Sequence, residues 1–283
     1  MVVGDPTEIF QDVVLVAVPH MDDGVLACGG TIAMLSQKDR IHVVYATDGM
    51  GAPAPEVPWR DSVSPDLGEM RMKEAQAAMG YLGVPHQNIH FLSLPDGRLT
   101  KHTKALSRLL TQLIGQIEPA HILMPFRYDS HPDHLALNHV ITATRLQDEV
   151  RAELTEYFVY YRWRLLPAGD VRKYIRPDLL FEVAIENVSG QKRAALSLFK
   201  TQTTKFYAWQ SRPNLSARLL DEVSHTPELF LRYDPSASGP AVFDQYVTWI
   251  RLVHRLEPFL KKRKDRAVAL WARGLGRNDR QGA

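Results

Sequence analysis

The sequence predicts an α/β fold: a doubly wound, mostly parallel sheet with helices on both faces, Rossmann-like in its winding. Three observations carry this. Short apolar runs rich in β-branched residues alternate with stretches of helical period along most of the chain. The runs are apolar at successive positions, the pattern of strands covered on both faces. Clusters of Pro, Gly and Asp punctuate the joints between them.

Asp12–Val18 reads as the first strand, and Asp23–Gln37 has helical periodicity. "IHVVYAT" (Ile41–Thr47) is the second strand, followed by the loop "DGMGAPAPEVPW". Ser64-Pro65-Asp66 opens a helix that runs to about Gly80 and stops near "YLGVP". Asn88–Leu94 is the third strand, closed by Pro95-Asp96-Gly97, and Lys101–Ile117 is helical. Ala120–Pro125 is the fourth strand. The loop "FRYDSHPDH" and a helix through Glu149 follow it, and "TEYFVYYRW" is the fifth strand. Further on come a run "LLFEVAI", a helix over Gln191–Phe199 and a short strand Leu229–Tyr233. From about Asp244 the chain reads as helical and basic. The expected organisation is one α/β domain over 1–243 with a basic helical extension over 244–283.

The 283 residues suit one large domain with an appendage. The single cysteine, Cys28, excludes an internal disulfide framework and reads as a small buried hydrophobe. No run reaches the roughly 18 apolar residues of a membrane span. The start "MVVGDPTEIFQD" is acidic and lacks the features of a signal peptide, so the expected location is the cytoplasm. The net charge of +2 hides an asymmetry: Arg251–Arg280 holds ten Lys/Arg against three Asp/Glu. A mildly acidic body therefore carries a basic end. That end suits peripheral contact with an anionic membrane, or a solvated helix docked by one face. Nucleic acid is not the expected partner.

In a doubly wound sheet the first and fourth strands lie side by side, and ligands bind beyond the carboxyl ends of the strands at that switch point. "PHMDDG" follows the first strand and "SHPDH" the fourth. The two loops richest in His and Asp are the two that this topology brings together. They offer His20, Asp22, Asp23, His131, Asp133 and His134. Two imidazoles and a carboxylate make a catalytic zinc site with one position open to water, and they suit iron(II) as well. Adjacent residues in a turn point in different directions, so one of Asp22 and Asp23 can hold the ion while the other faces the water as general base. A histidine left over, His131 or His134, can serve as acid or oxyanion donor.

Plainer roles compete. An aspartate before a helix caps it. Asp133 either caps its helix or orients His131. Arg71 has Glu69 and Glu74 near it at helical spacing. Asp96 is a sound turn former. Asp48 stands where a dinucleotide fold has its ribose-binding acid, but the first turn lacks G-x-G-x-x-G, so no nicotinamide site is expected.

The chain resembles the PIG-L/LmbE-like N-deacetylases. Their markers are a His-Pro-Asp-Asp-Glu loop after the first strand and His-Pro-Asp-His after the fourth. Here these read His20-Met21-Asp22-Asp23-Gly24 and His131-Pro132-Asp133-His134. The likeness extends through "GEMRMKEAQAAMGYLG", with Arg71 and Glu74, and "LPDGRL", with Asp96, and covers roughly Val13–Asn138. The resemblance implies that His20, Asp23 and His134 hold zinc. It implies Asp22 as general base, and His131 as the group that stabilises the oxyanion or protonates the leaving amine. Arg71 and Asp96 would contact the sugar. The implied reaction removes the N-acetyl group from an N-acetylglucosamine-type sugar in a small-molecule or glycolipid substrate, giving amine and acetate. A metal-dependent hydrolase of another amide or ester, or a sugar-binding member of weak activity, is the alternative. Met21 in place of proline and Gly24 in place of an acid are the departures from the pattern.

Overall fold

The computed structural model describes residues 2–55, 62–143, 151–159, 164–165 and 169–234, and beyond them 248, 249 and 252. In chain order the strands are β1 (Val2–Val3), β2 (Val14–Val18), β3 (Ile41–Thr47), β4 (Ile89–Leu94), β5 (His121–Pro125), β6 (Glu153–Tyr157), β7 (Arg164–Leu165), β8 (Gly169–Asp170), β9 (Leu180–Val183) and β10 (Glu228–Arg232). The helices are α1 (Pro6–Ile9), α2 (Asp23–Met34), α3 (Leu67–Tyr81), α4 (Thr103–Ile117), α5 (Pro132–Thr142), α6 (Ser189–Ser197), α7 (Lys200–Thr203) and α8 (Ala217–His225).

The main sheet runs β1-β9-β10-β6-β5-β2-β3-β4, and β7 and β8 pair separately. From β6 to β4 every pairing is parallel, while β10 is antiparallel to both β6 and β9. The α/β, mostly parallel fold is thus as expected. Val14 pairs with Ile41 on one side and His121 on the other, so β2 lies between β3 and β5 and the winding reverses at its β5 side.

β2 is buried along its whole length because it faces two cores. Val14, Val16 and Val18 join Val43 and Tyr45 in a core with Val25, Ala75, Met79 and Leu196. Leu15 and Ala17 join Val44 and Ala46 under Leu106, Leu110, Leu137 and Val140. This alternation explains why the strand reads as a continuous apolar run.

Two buried ion pairs brace the frame. Glu156 on β6 accepts from Arg127 N at 2.9 Å, from Arg127 Nη2 at 2.8 Å and from Asn138 Nδ2 at 2.8 Å, tying the loop after β5 to β6 and α5. Glu228 on β10 accepts from Gly30 N, Thr31 N and Lys192 Nζ, each at 2.7 Å, and so ties α2 to α6. A Cβ on Gly30 would meet Ile185 Cγ2 at 2.5 Å, so only glycine admits this approach.

Boundaries differ from expectation where polar residues decide. The first strand starts at Val14, because Asp12 keeps its carboxylate exposed. The helix expected from Ser64 starts at Leu67: Ser64-Pro65-Asp66 form the entering turn, with Leu67 N donating to Ser64 O at 3.1 Å. The fifth strand leaves the ladder after Tyr157, and the rest of the run to Trp163 falls partly outside the described residues. α5 ends at Thr142, while the continuation to Glu149 lies outside the described residues. The last strand spans Glu228–Arg232, one residue earlier than expected. Strand β1, helices α1, α7 and α8 and the β7–β8 pair have no counterpart in the expectation; most are too short to show a period.

Contacts divide the chain into a unit Met1–Gly239 and a unit Pro240–Ala283. The expected basic extension lies almost wholly outside the described residues. Among the described residues no helix is long and apolar enough to cross a membrane.

Candidate metal centre

β2 ends in Val18, and the chain turns at Pro19, whose carbonyl accepts from Thr47 N at 3.2 Å and Thr47 Oγ1 at 2.8 Å. This pins the turn to the end of β3 and presents His20 beyond the sheet. Asp22 occupies the N-cap position of α2 but makes no capping hydrogen bond. Its Oδ1 accepts instead from Arg71 Nη2 at 3.0 Å. Asp23 opens α2 and turns back: its Oδ2 accepts from His20 N at 3.2 Å and lies 2.9 Å from His20 Nδ1.

After β5 the loop returns to the same end of the sheet. His131 caps α5, with Pro132 at the first helical position, where its fixed φ fits and its missing N–H costs nothing. The ring Nδ1 of His131 accepts from Asp133 N at 3.2 Å, which leaves a neutral ring its proton on Nε2. One turn into α5, His134 points Nε2 at Asp23 Oδ2, 3.1 Å away, and at His20 Nδ1, 3.3 Å away.

Three donor atoms thus form a triangle: His20 Nδ1, Asp23 Oδ2 and His134 Nε2, with sides of 2.9, 3.1 and 3.3 Å. Ligands about 2.0–2.1 Å from a tetrahedral ion stand roughly 3.3–3.4 Å apart, so the donor set and its spacing fit a divalent metal. His131 stands close by, its ring 4.5 Å from that of His20 and 5.1 Å from that of His134. One ring nitrogen from each of the three histidines also lies within 4.8 Å of the other two.

Around this triangle the carboxylates are crowded. His20 Nε2 lies 3.3 Å from Asp96 Oδ1 and 3.3 Å from Asp133 Oδ2. Asp133 also accepts from Gly97 N at 2.6 Å and Leu99 N at 3.0 Å, which fixes the turn that carries Asp96. Asp96 Oδ2 accepts from Gly51 N at 3.0 Å and faces Arg71 Nη1 at 3.6 Å. Arg71 is 1% exposed, and its Nη1 donates to Gly49 O at 2.8 Å.

The electrostatics follow from this crowding. Burial alone would push His20 down, but Asp96, Asp133 and Asp23 hold it well above the ordinary imidazole value. Burial would likewise lower His134, yet Asp129 and Asp23 raise it to about 10. Asp23, despite its burial, is held well below the carboxylate range by His134 and His20. Asp22 moves the other way: burial raises it, Asp23 adds to the rise, and Arg71 and His20 offset only part. Adjacent carboxylates with opposite shifts suit different tasks.

The structure therefore brings together every residue singled out in the sequence. Its neighbours give two of them a setting that spacing alone does not reveal. Arg71 pairs with Asp22 and Asp96, and Asp133 lies against His20 and the 97–99 turn. Met21 is fully buried in the first core. A Cβ on Gly24 would meet Met79 Cε at 2.9 Å and Val18 Cγ2 at 3.1 Å, so methionine fills the space that an acid there would need. Sequence reasoning missed Asp129, whose Oδ1 accepts from His131 N at 2.8 Å and whose Oδ2 lies 3.3 Å from His134 Nδ1. Its position in "YDSHPDH", just before two candidate histidines, was the available signal. Glu74 was named there, but not its partner: it accepts from Thr201 N at 2.8 Å and Thr201 Oγ1 at 2.6 Å and ties α3 to α7. A cavity of about 480 Å³ among Ile122, Leu154, Arg232 and Tyr233 lies at the amino ends of β5 and β6, away from this cluster.

A profile of the GlcNAc-PI de-N-acetylase (PIG-L) family matches residues 15–144. Diacetylchitobiose deacetylase of Thermococcus kodakarensis is 36% identical over 135 residues, covering 45% of this chain and 47% of that protein. The chain thus matches about half the length of this relative. Among solved structures, an antimicrobial pseudoaglycone deacetylase superposes with a TM-score of 0.56 at 20% identity, over 78% of this chain and 97% of the other. The N,N'-diacetylchitobiose deacetylase of Pyrococcus horikoshii superposes with a TM-score of 0.52 at 22% identity, over 71% and 73%. At such identities these two likenesses speak for the fold.

Proposed function

We propose that this chain, whose residues 15–144 match the PIG-L family profile, is a metal-dependent N-deacetylase that releases acetate from an N-acetylglucosamine-type sugar. The observation that carries the reading is the triangle His20–Asp23–His134, with Asp22 held outside it by Arg71.

His20, Asp23 and His134 would hold the ion, and zinc is the metal we assign, with iron(II) as the competitor. The ion would supply Lewis-acid chemistry, polarising an acyl oxygen and lowering the pKa of water. Asp22 is the base. Its carboxylate is free of capping duty, and Arg71 Nη2 fixes its Oδ1, so the other oxygen is oriented to take a proton from the attacking water. Burial raises its pKa, which makes it a stronger base than an ordinary carboxylate, and the guanidinium of Arg71 offsets part of that rise. His131 serves as donor. With Nδ1 accepting from Asp133 N, a neutral ring carries its proton on Nε2, the atom that would donate to the oxyanion, a contribution of about 3 kcal/mol by analogy with other hydrolases, or to the departing amine. Asp133 holds His20 and the Asp96 turn. Arg71 and Asp96, as the carried-over pattern has it, would meet the sugar. Asp96 can do so by exchanging its contacts to Gly51 and His20 for hydroxyls.

The domain boundary near residue 243 and attachment of the basic run Arg251–Arg280 to an anionic surface belong to the same reading, on sequence evidence. The test is a panel of N-acetylated amino sugars incubated with zinc-loaded protein. Acetate and free amine should appear in equal amounts from at least one. Saturable sugar binding without acetate would make this a binding protein, and acid released from another amide or an ester would move the substrate class.

A further inference from the structure

We propose that Asp129 is a positioning residue that sets the tautomer and the place of His134, and through them the affinity of the metal site; the inference rests on the reading of His134 as a ligand. An imidazole binds a metal through a nitrogen that carries no proton, so its other nitrogen must keep one, and something has to hold it there. His134 is 3% exposed, and its Nε2 is the nitrogen facing Asp23 and His20. The proton must then sit on Nδ1. That atom is buried and has no well-directed hydrogen bond among the described residues, and the carboxylate beside it is Asp129 Oδ2, 3.3 Å away.

The other oxygen of Asp129 accepts from His131 N at 2.8 Å. One carboxylate therefore spans the loop before α5. It fixes the backbone where His131 caps the helix and faces the side chain that His134 sends back one turn later. The same logic recurs at His20, whose Nε2 lies 3.3 Å from Asp133 Oδ2 while its Nδ1 faces Asp23. Each candidate ligand histidine thus has a carboxylate behind it. The two carboxylates differ in their other duties. Asp133 also closes the 97–99 turn, whereas Asp129 lies wholly within the loop that delivers the histidines. Asp129 is therefore the carboxylate whose replacement tests the role most directly.

The experiment compares native protein with Asp129→Asn and Asp129→Ala by zinc titration against a competing chelator, alongside thermal melting of the metal-free proteins. Loss of such a partner weakens metal binding by about 10–100-fold. That loss is expected in both variants, with the metal-free proteins still folded but melting somewhat lower, because Asp129 also accepts from His131 N at the start of α5. Should either variant not fold, ¹⁵N–¹H correlation spectra of the native zinc form decide by themselves: His134 should show the Nδ1–H tautomer. Zinc affinity within twofold of native in folded variants, or an Nε2–H tautomer at His134, would overturn the proposal. If the native protein binds no zinc, both this role and the proposed function fall; if it binds zinc without the Asp129 dependence, only this role does.

Discussion

Two buried charge clusters in this molecule are built on opposite plans. At Glu228 every charge is answered: Lys192 supplies one cation, and two backbone amides of α2 close the remaining lone pairs. At the carboxyl ends of β2 and β5 five aspartates (Asp22, Asp23, Asp96, Asp129 and Asp133) gather around Arg71 and three histidines. The first cluster is neutral as it stands. The second carries more carboxylates than cations, an excess that protons on its histidines or an entering cation would offset. A closed pair fixes the fold, whereas an over-acidic cluster with neutral donors at ligand spacing is organised for an ion. The difference lies in charge balance.

The sharpest way to break the comparison is to change one member of each cluster. Asp22→Asn keeps shape and removes the base. Turnover is expected to fall by about 10²–10⁴, with metal content and melting temperature close to native. The acid limb of the native pH profile should lie above the ordinary carboxylate range, because burial raises Asp22, and it should flatten in the variant. Lys192→Met should show the opposite pattern. It strands Glu228 without its cation at a cost of about 3–5 kcal/mol in denaturant unfolding, and leaves the zinc affinity of the folded protein unchanged. An Asp22 variant that is chiefly unstable, or a Lys192 variant that chiefly loses zinc, would erase the distinction.

A smaller effect concerns protons. His134 is raised to about 10 and His20 is raised well above its ordinary value by the carboxylates around them, which favours the protonated rings in the ion-free protein. Their stabilisation is complete below the unfolded imidazole value of about 6.5 and is lost as the pH rises through the folded value of His134. An entering ion must displace those protons. Calorimetric zinc titration at pH 7 in buffers of different ionisation heat should therefore show protons released from both histidines. Heats independent of buffer would mean that the cluster is not charged in this way.

Much of this was legible because the central strands carry their faces in their composition. Val14–Val18 is apolar at every position since both sides are covered, and such a strand points to parallel neighbours and a switch point before any coordinate is known. The two His/Asp loops then converge by topology. The partners of Arg71 were not legible: helical spacing offers Glu69 and Glu74, whereas the fold turns its guanidinium inward to Asp22 and Asp96. Asp129 was passed over because a carboxylate in a loop carries no period. After β6 the strand at β10 was read to within one residue, but α8 was missed, and so was the place of β10, antiparallel between β6 and β9 with partners distant in sequence.

The least effect is expected furthest from the cluster. Ending the chain after Phe243 should leave turnover of a soluble substrate nearly unchanged and weaken binding to anionic vesicles at low salt, where screening is least. Absence of vesicle binding by the full chain under those conditions would remove the attachment role.

The central claim is that Asp22 and Asp23, neighbours in one turn, serve base and ligand respectively within a metal centre. Metal content per chain, determined side by side for native protein, Asp22→Asn and Asp23→Ala, tests it most directly. Native protein and Asp22→Asn should hold close to one equivalent, and Asp23→Ala should be nearly empty, because it loses the carboxylate that joins His20 to His134. An empty Asp22→Asn beside a loaded Asp23→Ala would contradict the assignment, and full metal content with full activity in both would place the chemistry elsewhere.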